Sequence, residues 1–186
     1  MTENYDAILL VSFGGPEGMD DVMPFLENVL RGRNVPPERM HAVAHHYELF
    51  GGVSPINQQN RNLIEALKAE LVENKIDLPI YWGNRNWHPM LAETVKQMQN
   101  DGIQKALAFV TSAYSSYSSC RQYRENIAVA LEELGEHRTM QIEKLRAFYN
   151  HPGFVEANVD YIENALQQFG DKRPQVHIAF TAHSIP

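Results

Sequence analysis

Apolar residues along this chain of 186 residues follow two alternating patterns. Five short runs are almost continuously apolar: 6–13 (DAILLVSF), 79–83 (PIYWG), 106–111 (ALAFVT), 139–144 (TMQIEK) and 176–181 (VHIAFT). Short apolar runs that do not alternate with polar residues are expected of strands covered on both faces, as in a parallel sheet. The run at 139–144 fits that description least well. Between the runs, apolar residues recur every three or four positions, as on one face of a helix. Val22, Phe25, Leu26 and Val29 make one such face, and Gly32 stands where a C-terminal cap belongs. Met40, Val43 and Tyr47 make a second, beginning at the Pro36–Pro37 pair. Leu63, Leu67 and Leu71, then Leu91, Val95 and Met98, then Ile127, Leu131 and Leu134 predict three more helices. Val155, Val159, Ile162, Leu166 and Phe169 give the most regular stripe, with Asn150 and Pro152 as its start signals. Strands alternating with helices predict an α/β fold, a doubly wound parallel sheet flanked by helices and joined by right-handed crossovers.

Sheets of this kind bind ligands beyond the carboxyl ends of their strands. Segments 13–18, 84–89, 112–119 and 182–186 are therefore the places to look for chemistry. The first run ends in Ser12-Phe13-Gly14-Gly15-Pro16, where two glycines permit a tight turn or the close approach of a ligand. It matches no nucleotide-binding glycine fingerprint, and taken alone it reads as a turn. Segment 82–89 carries Trp82 and Trp87 on either side of a polar turn; aromatic walls suit a flat apolar ligand, and equally ordinary packing. Segment 112–123 is rich in hydroxyls and opens a helix, so it reads either as an anion site or as an N-cap with surplus serines. The last run ends in Thr181-Ala182-His183-Ser184-Ile185-Pro186, which sets a histidine at the ligand edge among small neighbours. The other histidines are weaker candidates. His45 and His46 adjoin on a helix and point different ways, and His88 and His151 precede prolines and fit turns.

Composition narrows the class of function. The formal net charge of −7 disfavours a phosphate backbone, and no basic stripe offsets it, so nucleic acid is not an expected partner. No apolar stretch approaches the roughly 20 residues that span a bilayer, and Asn4, Tyr5 and Asp6 interrupt any signal-peptide pattern. A soluble, cytoplasmic protein without a transmembrane segment is expected. A single cysteine, Cys120, excludes an internal disulfide and fits a reducing compartment.

Seven ordered motifs together are more specific than any one of them: Phe13-Gly14-Gly15-Pro16, Arg31-Gly32-Arg33, Tyr47 to Pro55 (YELFGGVSP), Gly83 to Trp87 (GNRNW), Ser115 to Tyr123, Tyr149 to Phe154 and Thr181 to Pro186. In this order they resemble the ferrochelatase family, and closely its monofunctional coproporphyrin members from Gram-positive, actinobacterial-type bacteria. The resemblance covers the whole chain. It implies an enzyme (a lyase of haem biosynthesis) that inserts ferrous iron into coproporphyrin III or a related porphyrin. It also implies two similar α/β halves with the porphyrin in a cleft between them. On that basis residues 1–186 are the N-terminal lobe, ending at the metal-binding strand, and the second lobe is absent from this chain. A chain that stops five residues after its fifth strand also reads as part of a larger protein.

Carried over residue by residue, the resemblance puts the family's metal-binding histidine at His183. It puts porphyrin-propionate contacts at Tyr47, Ser54 and Tyr123, with Arg31 contributing. Phe13 replaces a tyrosine that lies beneath the metal in some relatives, so no phenolate is available there. Leu30 and His46 stand where some members carry arginine, which leaves acid recognition resting more on hydroxyls. Cys120 falls where some members hold the first ligand of a [2Fe–2S] cluster in the full-length protein. A lone cysteine cannot hold a cluster that takes four thiolates, and an unligated residue at a helix start is the alternative.

The chemistry agrees with this choice of residues. Metallation removes two pyrrole protons and delivers a dehydrated ion, and a neutral imidazole can serve either step near neutral pH. One imidazole with a carboxylate from the other half would hold iron loosely enough to release it, where a closed four-ligand site would trap it. Metal contact is the favoured role for His183, with proton acceptance the other. The isolated chain is expected to be inactive for want of the second half's glutamate. A non-catalytic tetrapyrrole-binding or carrier module is the alternative function, and a flavodoxin-like nucleotide domain a more distant one.

Overall fold

The structure, a computed structural model, describes residues 4–135 and 139–181. Four strands form one parallel sheet: β1 (Ala7–Ser12), β2 (Ile80–Asn84), β3 (Lys105–Val110) and β4 (Gln141–Lys144), in the spatial order β2-β1-β3-β4. Ser12 stands opposite Asn84, Val11 opposite Val110, and Lys105 opposite Gln141. The chain therefore runs from β1 outward to β2, crosses back over β1 to β3, and continues to β4. Strand order reverses between β1 and β3, and that switch point opens a crevice at the strands' carboxyl ends.

Three helices, α1 (Met19–Leu30), α2 (Pro37–Glu48) and α3 (Ile56–Glu73), fill the connection from β1 to β2. Helix α4 (Leu91–Asn100) joins β2 to β3, and α5 (Gln122–Glu132) precedes β4. Leu91, Val95 and Met98 of α4 and Ile127 and Ala130 of α5 pack with Ala7, Leu9, Val11, Ala106, Ala108 and Val110 on one sheet face. Right-handed crossovers place α1–α3 on the other side. Every residue of β1 is buried, as an apolar run with no alternation requires. A second core joins α1 to α2 through Val22, Phe25, Leu26 and Ala44. Most of the expected helix signals hold: Gly32 follows α1 with φ +76°, Pro37 opens α2, and Pro152 opens α6 (Pro152–Gln167), although the cap is His151 and not Asn150. His151 therefore accepts from the Gly153 N–H at 3.2 Å and does more than occupy a turn.

The chain divides into two compact units, residues 1–111 with 123–145 and residues 112–122 with 146–186. The first holds the sheet and α1–α5 apart from Gln122. The second holds a π-helical turn (Tyr117–Arg121), α6 and a 3₁₀ turn (Gly170–Gln175). Its described aromatic contacts are Tyr114 stacked on Tyr149, and Phe154 edge-on to Tyr114 and Phe148. The expected fifth strand is corrected here. Its described residues, Val176 to Thr181, make no strand pairing, and Phe180 is 85% exposed. An apolar run becomes a strand only where a neighbouring edge accepts its hydrogen bonds, and among the described residues none does.

Two stability measurements follow from this core. Leu9 is fully buried, so Leu9→Ala should cost about 3 kcal/mol in denaturant unfolding, and a loss under about 1 kcal/mol would mean the sheet does not pack as described. Tyr123 is buried within the same core, and that desolvation pushes its hydroxyl up to about 12, against the opposing effect of the Arg85 charge. Below pH 10 the hydroxyl is protonated in both states; between pH 10 and about 12 only the unfolded chain releases the proton, so stability falls as pH rises. Tyr123→Phe should lose less stability than wild type across that window. Equal slopes in the two proteins would show that the hydroxyl is not buried.

Candidate functional site

The loops that leave β1 and β2 are bonded to each other at the carboxyl edge of the sheet. The Ser12 carbonyl accepts from the Arg85 N–H at 3.0 Å, and the Phe13 carbonyl accepts from both the backbone N–H and the side-chain Nδ2 of Asn86, at 3.0 and 3.2 Å. These bonds extend the β1–β2 pairing past the ends of the strands. Gly14, at φ +79°, lies so close that a Cβ there would stand 2.8 Å from the Asn84 Cβ. A Cβ on Gly15 would stand 2.6 Å from the Ser54 Cβ. Glycine is required at both positions by this crowding, and at Gly14 also by its left-handed backbone.

Buried amides complete the frame. Asn84 is fully buried; its Nδ2 donates to the His88 carbonyl at 3.0 Å and to Asn57 Oδ1 at 3.4 Å, while its Oδ1 accepts from the Trp82 indole at 2.9 Å. Asn57, on α3, donates in turn to the Gly15 carbonyl at 3.1 Å. Aromatic rings cover the other side. Phe25 meets Phe13, Tyr47 and Trp87 edge to face, with centroids 6.2, 5.9 and 6.3 Å away. Such pairs add to the burial they accompany. Phe13 is half-buried at the end of β1, and the Arg85 guanidinium lies 5.9 Å from both its ring and the ring of Tyr123.

Several residues singled out in the sequence come together. Tyr47 and Ser54 line one open groove of about 700 Å³ with His46, Phe50, Val53 and Pro55. Burial raises the Tyr47 hydroxyl above its ordinary value, so it remains protonated and able to donate. Ser54 Oγ accepts from the Ile56 N–H at 3.4 Å, and the Ser54 N–H is held by the Pro16 carbonyl at 2.8 Å. Phe13 does not line this groove; it is linked to Tyr47 through Phe25, which touches both rings. Arg31 stands exposed at the end of α1, its Nη2 donating to Asn28 Oδ1 at 2.5 Å. Tyr123 is buried, with the Arg85 guanidinium over its ring.

Cys120 sits half-buried in the π-helical turn of the second unit, in a cap built from serines. Ser116 Oγ accepts from the Ser119 N–H at 3.1 Å, and Ser119 Oγ donates to the Tyr114 carbonyl at 2.6 Å. Those hydroxyls thus do the work of an N-cap. Cys120 is the chain's single cysteine, and among the described residues no three His, Cys, Asp or Glu side chains gather where they could hold a metal ion. One cysteine supplies at most one of the four thiolates that such a cluster takes. His183 lies outside the described residues, as does all of 182–186.

Arg85, Asn84 and Asn86 belong to a motif that sequence reasoning quoted without giving those three residues a role, and Asn57 it passed over. The signal was the Asn84-Arg85-Asn86 run at a strand's carboxyl end, where the flanking tryptophans drew attention instead. Both tryptophans make packing contacts: Trp82 lies beneath Arg61 at 5.6 Å, and Trp87 rests against Phe25. Among the described residues no helix is long and apolar enough to cross a membrane.

A family model described as Ferrochelatase matches residues 5–186. The chain is 61% identical over 182 residues to a ferrochelatase of Rhodopirellula baltica, covering 98% of this chain and 52% of that protein. It is 56% identical over 185 residues to a coproporphyrin III ferrochelatase of Streptomyces coelicolor, covering 98% and 49%. Against one from Leifsonia xyli the identity is 55% over 188 residues, covering 98% and 48%. The chain thus spans about half the length of the curated relatives it matches. With a match that runs over nearly all of its residues, the chain belongs to the ferrochelatase family.

Proposed function

We propose that this chain supplies the porphyrin-holding half of a ferrochelatase, and that the whole protein inserts ferrous iron into coproporphyrin III. The observation that carries the reading is a single groove with an apolar wall and hydroxyl donors. Tyr47 and Ser54 open onto it beside Phe50 and Val53, with Phe13 one ring away and Arg31 and Arg85 as cations of the same unit. A macrocycle edged with carboxylates asks for this combination: apolar surface for the ring, and hydroxyls and guanidinium groups for the acids. The names of the Streptomyces and Leifsonia relatives favour the four-carboxylate porphyrin.

In this reading the acid groups of the porphyrin dock at Tyr47, Ser54 and Arg31, with Tyr123 as a further hydroxyl behind Arg85. Neither phenol ionises near neutral pH, so both remain donors to a carboxylate. Phe13 offers the ring an apolar floor and no ligand for iron, leaving the metal to His183. A neutral imidazole there contacts Fe²⁺ or takes a pyrrole proton, and a carboxylate from the half outside this chain completes the exchange. Cys120 contributes at most one of the four thiolates of a [2Fe–2S] cluster, and no step here uses one.

Porphyrin titration followed by absorbance separates this half-site from a carrier. The chain 1–186 alone should bind coproporphyrin III feebly and insert no iron. Tight, stoichiometric uptake would make it a carrier, and iron insertion by the isolated chain would refute the division of labour. In the full-length protein, His183→Ala should lower iron insertion by roughly 10²-fold or more, the scale of a lost acid–base or ligand group. Unchanged turnover would remove His183 from the mechanism. Tyr47→Phe in the same protein should weaken porphyrin binding by roughly ten- to a hundredfold, the worth of one hydrogen bond to a charged group. Affinity equal to wild type would take Tyr47 out of the site.

A further inference from the structure

Arg31 is the most exposed cation of the proposed acid-binding rim, and one amide holds it in place. Its Nη2 donates to Asn28 Oδ1 at 2.5 Å, while Asn28 Nδ2 donates to the Asn86 carbonyl at 3.3 Å. Asn86, itself buried, passes the connection on by giving two N–H groups to the Phe13 carbonyl. A continuous line of hydrogen bonds therefore runs from the rim guanidinium to the backbone under the aromatic floor. The orientation of the Asn28 amide is fixed by its neighbours, since a guanidinium can only donate and a carbonyl can only accept. The backbone of Arg31 is also held, its N–H on the Asn28 carbonyl at 3.4 Å, with Gly32 turning the chain away immediately afterwards.

The choice of an amide matters chemically. A carboxylate at position 28 would accept from Arg31 equally well, but it would neutralise the guanidinium and face the Asn86 carbonyl with no proton to give. An amide orients the cation and leaves its charge free for an anionic ligand. We infer that Asn28 is a positioning residue: it aims Arg31 at the carboxylates of the porphyrin and ties that aim to the loop carrying Arg85 and Trp87. This assignment rests on the porphyrin-binding reading above and deepens it.

The test compares two ligands in the full-length protein: coproporphyrin III as the free acid, and the same ring with its four carboxylates esterified. Asn28→Asp should weaken binding of the free acid by roughly five- to tenfold, since it compensates one exposed charge and adds another of the ligand's sign. Asn28→Ala, which removes the clamp without adding charge, should weaken it by roughly twofold. Neither variant should alter binding of the ester. A merely structural role would lower affinity for both ligands together, and that result would overturn the assignment. So would free-acid affinity in Asn28→Asp equal to wild type while Arg31→Ala weakens it. Should wild type bind neither ring, the porphyrin reading itself falls and the assignment with it. Alanine is a better helix former than asparagine in the last turn of α1, so Asn28→Ala keeps the comparison open even where Asn28→Asp unfolds.

Discussion

The buried amide of Asn84 is the interaction on which the site depends. It sits at the end of β2, wholly removed from water, and joins Trp82, the His88 carbonyl and Asn57 of α3. Through Asn57 it reaches the Gly15 carbonyl, so two loops and a helix share one hydrogen-bonded knot. Burying an amide without partners costs on the order of 1–3 kcal/mol, and here the partners are present on three sides. The knot also explains the glycines. With Asn84 and Ser54 pressed against the loop after β1, Gly14 and Gly15 have no space for a side chain.

Chemistry follows from what this frame holds still. Phe13 is presented half-open at the sheet edge because its carbonyl is taken by Asn86 and its ring is braced by Phe25. Tyr47, braced by the same ring, turns toward a groove whose other walls are His46, the Ser54 hydroxyl and the apolar Phe50, Val53 and Pro55. Arg85 is set against two ring faces, those of Phe13 and Tyr123, which favours a guanidinium over an ammonium because a planar cation stacks. Rigid apolar surface beside fixed donors is what a flat, acid-edged ligand needs.

Much of this was legible in the sequence, for identifiable reasons. The strands at 7–12, 80–84 and 105–110 announced themselves as short, nearly continuous apolar runs, most fully in β1, where every residue is buried. Gly32, Pro37 and Pro152 marked helix ends because glycine tolerates the left-handed backbone of a C-terminal cap and proline fixes its own φ at a helix start. Even β4, the weakest run, forms within the expected stretch, and the structure puts it at the sheet edge. The run at 176–181 had the same composition and made no strand among the described residues, since pairing depends on a neighbour that composition does not reveal. The asparagine knot was invisible for a different reason. Buried amides have no periodicity, and their partners are backbone carbonyls brought near only by the fold. Tyr47, Ser54, Phe13, Arg31 and Tyr123 came from the family resemblance, not from any pattern of their own. Their placement in one unit is what the structure adds.

The most direct measurement of the central claim is a crystal structure of the full-length protein with coproporphyrin III bound. The account predicts the macrocycle against Phe13, with its carboxylates on Tyr47, Ser54 and Arg31 and the His183 imidazole facing the ring centre. A porphyrin seated elsewhere, or one whose acids touch none of those side chains, would contradict it.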